Sequence, residues 1–494
     1  MFVMFLARNE RVRHSEGMTS TTAPTGAPAA GSTMSTKAIW LTLIVILIAD
    51  ALDLIDATIT NVAAPSIVRD IGGGEALVKW LGASYALALG SLLVLGGRIG
   101  DRFGQRRTFL IGMTGFVAAS ALAGLAPGPA VLVTARLIQG AFGALLIPQG
   151  MAIMTRTFPR ETLTKAFGAF GPMLAIFGVG GPILAGFLID ANLFGLGWRP
   201  VFLINVLVGG LGLLLAVKTL PHVAPDPTTR IDWTAAALLS GTMLTLLYGL
   251  IEGSSAGWTI VPVSCIAAAL VLFTAFTHRQ RTSASPLIKP SLLRNRGFAS
   301  GLVLGLLVFA AFNGLTYVIS LFFQYGLHYT PTHTSLSLLP LTIGIIIGSG
   351  TCMALIAKLG RVLVLAGLLV TALGAGLFLA AVNHYGLHTN GWLLASITLV
   401  IGIGAGICFG SIFDTALGDI DHDEAGAASG SLSAVQQLAA GVGSAVVTTV
   451  YFHTLGGGQA HAMITSLVTV LGLCLLCLAA VPLLPKRAAD LEHH

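Results

Sequence analysis

Charge is scarce in this chain. Only 9% of its 494 residues are Asp, Glu, Lys or Arg, against about 25% in soluble globular domains, and that deficit excludes an ordinary water-soluble fold. Cysteine is scarce too. Cys265, Cys352, Cys408, Cys474 and Cys477 all fall in apolar stretches and form no disulfide framework. No GxxxxGK(S/T) loop is present to bind ATP, and GVGGPILAG at 178–186 lacks the strand–helix setting of a nucleotide fingerprint. No nucleophile–base arrangement suggests an enzyme, and His328, His333, His384, His388, His453 and His461 lack ligand spacing, so no metal site is expected.

What is present is apolar surface and glycine. Hydrophobic residues make up 55% of the chain and glycines number 61; the mean hydropathy is +0.88. Small residues among long apolar runs let membrane helices approach closely. Fourteen runs have spanning length: 38–63, 77–96, 107–126, 130–153, 165–189, 200–219, 232–251, 259–278, 298–323, 334–357, 361–381, 391–416, 428–452 and 462–484. The fold class is an all-α integral membrane protein of 14 transmembrane helices.

Lysine and arginine set the orientation. A cytoplasmic amino terminus places 22 of the 26 inside, leaving Arg69, Lys79 and Arg199 in outside loops and Arg136 within the fourth span. That asymmetry is a positive-inside signal, with both termini cytoplasmic. It explains the formal charge of +6 without a nucleic-acid partner. The expected organisation is a disordered tail (1–37), a six-helix bundle (38–220), two additional helices (231–279), a second six-helix bundle (297–484) and a carboxy-terminal tail (485–494) whose LEHH reads as a partial expression tag. Two bundles facing each other around a midplane cavity is the arrangement expected of a secondary transporter.

The first span carries the chemistry. Asp50, Asp53 and Asp56 recur every third residue, and each costs about 2.5–3.5 kcal/mol at a helix centre. At 100° per residue they fill one stripe of about 120°, with Thr60 beside them. Repulsion among three acids in low dielectric favours a proton on at least one, and an acid holding either a proton or a cation is the minimal chemistry of proton-coupled transport. Arg136 lies about 24 Å from the cytoplasmic end of its span, level with Asp53 and Asp56 at about 22 and 27 Å. In the second half, Asp414 is the main embedded acid, either a gate or an end cap.

These residues resemble a known family. GGRIGDRFGQRR (96–107) is similar to the loop signature G-x-x-x-D-R-x-G-R-(K/R)-x of the major facilitator superfamily, and RLIQGAFGA (136–144) to its R-x-x-Q-G-x-G-A signature. GVGGPILAG resembles the helix-5 element of antiporters, with Ala185 in place of one glycine. LDLIDATITNVAAPSI (52–67), WRPVFLINVLVGG (198–210) and EAGAASGSLSAVQQLAAGVGSA (424–445) resemble elements of the fourteen-helix drug:proton antiporter branch.

The resemblance implies proton or cation handling at Asp56, with Asp53 and Asp50 as additions to the pattern. It implies proton relay at Arg136 and Gln139, and a conformational latch at Gly97, Asp101, Arg102, Gly104 and Arg106. It also implies an antiport element at Gly178, Gly181, Pro182 and Gly186. The implied function is export of lipophilic, cationic drugs or antiseptics in exchange for protons, with no cofactor beyond the proton gradient. The partners are then small substrates, protons and membrane lipid, and the protein is a monomer in the bacterial cytoplasmic membrane. Two alternatives stay open: a transporter of a single metabolite, lipid or siderophore, and a transporter-like sensor or scaffold.

Overall fold

The computed structural model describes residues 35–159, 177, 180–222, 225–227, 230–283, 285–287, 290–417 and 425–484. Among them thirteen helices are long and apolar enough to cross a membrane, and a shorter apolar helix covers Gly180–Asp190. In chain order they are α1 (Thr36–Ile71), α2 (Gly74–Phe103), α3 (Gln105–Gly124), α4 (Pro129–Thr157), α5 (Gly180–Asp190), α6 (Pro200–Thr219), α7 (Trp233–Ala256), α8 (Ile260–Thr282), α9 (Arg296–Leu321), α10 (Leu339–Leu359), α11 (Arg361–Tyr385), α12 (Gly391–Leu417), α13 (Ala425–His453) and α14 (Gln459–Ala480). Most of the fifth expected span lies outside the described residues.

Several helices outrun the apolar runs that announce them. The 36 residues of α1 make about 54 Å of helix at 1.5 Å per residue, well beyond a hydrocarbon core of about 30 Å. α2 continues through the charged stretch Gly97–Phe103 and stops at Gly104, whose φ of 95° is open to glycine and closed to most side chains. One residue therefore turns the chain from α2 into α3, which holds the basic loop tight. Lys79, expected outside, instead lies within α2 with its side chain fully buried, 4.0 Å from Glu75 and 5.7 Å from the Phe452 ring centroid. Its ammonium lies over the Phe452 ring, whose π face attracts a cation.

In the first half α4 packs against both α2 and α3; in the second, α12 packs against α10 and α11. The hairpin α7–α8 leans on the flank where α2 meets α13, sharing a cluster of Ala83, Leu87, Leu247, Ile251, Leu438 and Ala445. Among the described residues, six hydrogen bonds cross from the second half to the first at the end remote from Thr36. Tyr317 Oη donates to Val78 O (2.7 Å), Ser320 Oγ to Asn61 O (2.6 Å) and Gln324 Nε2 to Val62 O (3.1 Å). Ser335 Oγ donates to Pro182 O (2.6 Å), Ser444 Oγ to Gly82 O (3.1 Å) and the Thr332 amide to Asp190 Oδ2 (2.9 Å). The Tyr317 ring fits there because Gly82 has no side chain: a Cβ would lie 2.4 Å from its Cε1. That end is closed.

Candidate functional site

The carboxylate of Asp56 on α1, which is fully buried, receives donors from two other helices, α4 and α6. Arg136 and Gln139, three residues apart on one face of α4, both reach it. Arg136 Nη1 donates to Oδ2, and Gln139 Nε2 donates to Oδ1 at 2.7 Å. Asn205 Nδ2 arrives from α6 at 2.8 Å. Arg136 Nη2 also donates to the backbone carbonyl of Asp56 at 3.3 Å, and Nη1 to Gln139 Oε1 at 3.0 Å. Ser120 of α3 accepts from Gln139 at 2.9 Å. The guanidinium lies over two rings, 4.6 Å from the Tyr85 centroid and 5.7 Å from that of Phe202. A buried charge needs such an opposite partner and donor set to be tolerated.

Asp53, one turn nearer the amino terminus, is partly exposed. It accepts one hydrogen bond from a side chain, the phenol of Tyr85 on α2. Asp50 is also partly exposed and has no hydrogen-bond or ion-pair partner among the described residues. Thr60 is buried one turn beyond Asp56 and takes no part in its network. The three acids thus share a stripe, as their spacing predicts, but the depth match separates them: Arg136 pairs with Asp56 and leaves Asp53 to a neutral donor. Asp414 lies on the last turn of α12, and its side chain is outside the described residues.

The residues expected to form a latch gather at the other end of α2. Asp101 Oδ1 accepts from Arg156 Nη2 of α4 at 2.8 Å and from Gln105 Nε2 at 3.2 Å, while its carbonyl accepts from the Asp226 amide at 2.8 Å. Arg106 binds Val217 O and His222 Nε2, both at 2.6 Å, and forms no ion pair among the described residues. Arg102 covers the Phe103 ring at 5.6 Å. Gly97 faces Pro148, 3.7 Å from where a Cβ would sit. These contacts bind α2 to α3 and α4, and α3 to α6, within the first half.

In α5, a Cβ at Gly181 would lie 2.7 Å from Thr58 Oγ1 of α1, and one at Gly186 would lie 2.7 Å from Pro331 O. With Pro182 O accepting Ser335, this helix is pressed between α1 and the segment Pro331–Ser337 before α10. Gly178 lies outside the described residues. Three residues of the site were not singled out from sequence: Tyr85, Asn205 and Ser120. Asn205 stands inside the quoted WRPVFLINVLVGG, and each of the three is an isolated polar group in an apolar span.

Residues 46–444 match the model of the Major Facilitator Superfamily. The probable actinorhodin transporter of Streptomyces coelicolor is 41% identical over 430 residues, covering 86% of this chain and 74% of that protein. The tetracenomycin C resistance and export protein of Streptomyces glaucescens is 31% identical over 415 residues, covering 83% and 75%. Among solved structures, an auto-inhibited POT family peptide transporter superposes with a TM-score of 0.67 over 92% of this chain and 98% of its own, at 15% identity. That likeness speaks for the fold alone.

Proposed function

This chain belongs to the major facilitator superfamily, and we propose that it exports lipophilic, cationic drugs or antibiotics from the cytoplasm in exchange for protons. The protein is a transporter and not an enzyme. Export of an antibiotic is supported by the names of the two relatives, a transporter of actinorhodin and an exporter of tetracenomycin C. The distribution of Lys and Arg supports cytoplasmic termini. With that orientation the closed end faces outward, and the site is reached from the cytosol or inner leaflet. It works as a monomer in the bacterial cytoplasmic membrane, with the proton gradient as its only energy source.

The observation that carries this reading is the unequal setting of two acids one turn apart. Asp56 is enclosed by Arg136, Gln139 and Asn205, so protonating it would strand a buried guanidinium. Asp53 is partly exposed and holds one phenol, so it can exchange a proton with water or pair with a cation. In the cycle, Asp53 loses its proton to the cytoplasm and admits the cationic substrate. After the outer end opens, it takes up a proton and releases the substrate. One pH unit across the membrane is worth about 1.4 kcal/mol per proton, enough for roughly tenfold accumulation outside.

Purified protein in liposomes loaded with a fluorescent lipophilic cation, under an imposed pH gradient, tests this. Gradient-driven flux that disappears in Asp53→Asn is expected. Absence of such flux with every cation tried, or full flux in Asp53→Asn, overturns the reading.

A further inference from the structure

Tyr85 lies in mid-α2, outside every sequence element quoted above, and is 2% exposed. Its two ends touch different charges. The ring lies against the Arg136 guanidinium at 4.6 Å, a geometry in which a cation is attracted to the π face. The hydroxyl donates to Asp53 Oδ1. One side chain therefore touches both the enclosed Asp56–Arg136 pair and the partly exposed acid.

α4 is shaped around it. A Cβ at Gly140 would lie 2.4 Å from the Tyr85 carbonyl oxygen, and one at Gly143 would lie 3.2 Å from the Tyr85 hydroxyl. The first glycine lets the α2 backbone press against α4, and the second clears the path of the phenol toward α1. Small residues at such positions set how near two membrane helices approach. Apart from Tyr85, the charged groups acting on Asp53 are Asp50 and Asp56 on its own helix and Arg136 on α4.

We propose that Tyr85 is a positioning residue that couples Asp53 to the Asp56–Arg136 pair, its hydroxyl fixing the ionised carboxylate of Asp53 while its ring fixes the guanidinium. The role deepens the export reading and rests on it. The phenol keeps its proton throughout; only Asp53 gains one from water and returns one to water. A hydrogen bond donated to a carboxylate favours its charged form. Protonation of Asp53 thus weakens the hold of the hydroxyl and frees Tyr85 to leave Arg136. That loosens α1 from α2 and α4.

The test uses the purified full chain and dicyclohexylcarbodiimide, which modifies protonated carboxyl groups, with labelling at Asp53 followed by mass spectrometry across a pH series. This readout needs neither substrate nor transport. Tyr85→Phe keeps the ring and removes the donor, so its labelling should persist to a pH about one unit higher than in wild type. Its thermal unfolding midpoint should stay close to the wild-type value. Gly143→Ala, which crowds the hydroxyl, should shift labelling in the same direction by less. A Tyr85→Phe labelling curve that overlays the wild type overturns the proposal, as does a shift matched by general loss of stability. If the labelling shifts but liposomes show no gradient-driven flux, the positioning role stands and the export reading falls.

Discussion

Asp53 and Asp56 stand one turn apart on α1, and the helices around them treat them oppositely. Asp56 receives Arg136, Gln139 and Asn205 from two other helices, while Asp53 receives Tyr85 alone and keeps an exposed edge. The difference comes from rotation: a step of three residues turns the side chain by 60°. That turn carries it from the packed junction of α4 and α6 toward the partly exposed side of α1.

Removing Arg136 should therefore damage the fold as well as transport. Arg136→Ala leaves the Asp56 carboxylate buried with its charge uncompensated, at a cost of about 3–5 kcal/mol. Asp56→Asn combined with Arg136→Gln removes both charges and should recover a large part of that loss. Thermal unfolding of these two variants beside wild type in detergent measures the difference. Equal losses in the single and double variants would show that the ion pair is not what holds these helices.

The latch should behave in the opposite way. Arg156 and Asp101 are 43% and 37% exposed at their side chains, so solvent screening limits their pair to about 1 kcal/mol or less. Asp101→Asn is expected to leave the unfolding midpoint nearly unchanged while slowing transport several-fold, because the contact joins α2 to α4 at the end where the halves must move. Initial rates in liposomes, set beside thermal melts, separate the two effects.

At the closed end, Tyr317→Phe deletes one hydrogen bond between the halves, worth about 1 kcal/mol and hence roughly fivefold in the ratio of closed to open forms. Gly82→Leu should act more strongly, since even a Cβ would meet the Tyr317 ring at 2.4 Å. A cysteine introduced at Asn61, whose carbonyl still accepts from Ser320, reports the change through its labelling rate with a membrane-impermeant maleimide on intact cells. Unchanged labelling in both backgrounds would count against a gate at this position.

Asp232 ties the extra hairpin together. It caps α7 by accepting from the Ala235 amide at 2.9 Å and binds Arg279 at the end of α8, also at 2.9 Å. Burial pushes its carboxyl up, yet the hydrogen bonds from Ser283, Ala235 and Arg279 outweigh that and hold it below the usual carboxylate value. Because the folded form favours the charged group, its contribution is complete at neutral pH and fades as pH falls below about 4. Asp232→Ala should cost about 1 kcal/mol at pH 7. That gap to wild type should narrow in unfolding measurements taken at pH 3.

Much of this was legible in the order of residues. Long apolar runs announce helices because backbone groups in lipid must be satisfied within one segment. Counting 1.5 Å steps places Arg136 level with both Asp53 and Asp56, and the structure gives it to Asp56. Counting could not tell Asp53 from Asp56, since their difference depends on Tyr85, Gln139 and Asn205, which lie 32, 83 and 149 residues away from the acids they touch. The burial of Lys79 was hidden for the same reason: its cover includes Phe452, from the far half of the chain.

The closed end has a further property. Five of its six bonds run from side chains of the second half to backbone carbonyls of the first, at Asn61, Val62, Val78, Gly82 and Pro182. A carbonyl survives every substitution, whereas a hydroxyl or amide does not. Apart from Gly82, where a side chain would strike Tyr317, the first half can vary its side chains at these acceptors without losing a partner, while each of the five side-chain donors in the second half is one codon change from being lost. Mutations that unlock this end by deleting one of these five bonds should therefore accumulate in the second half.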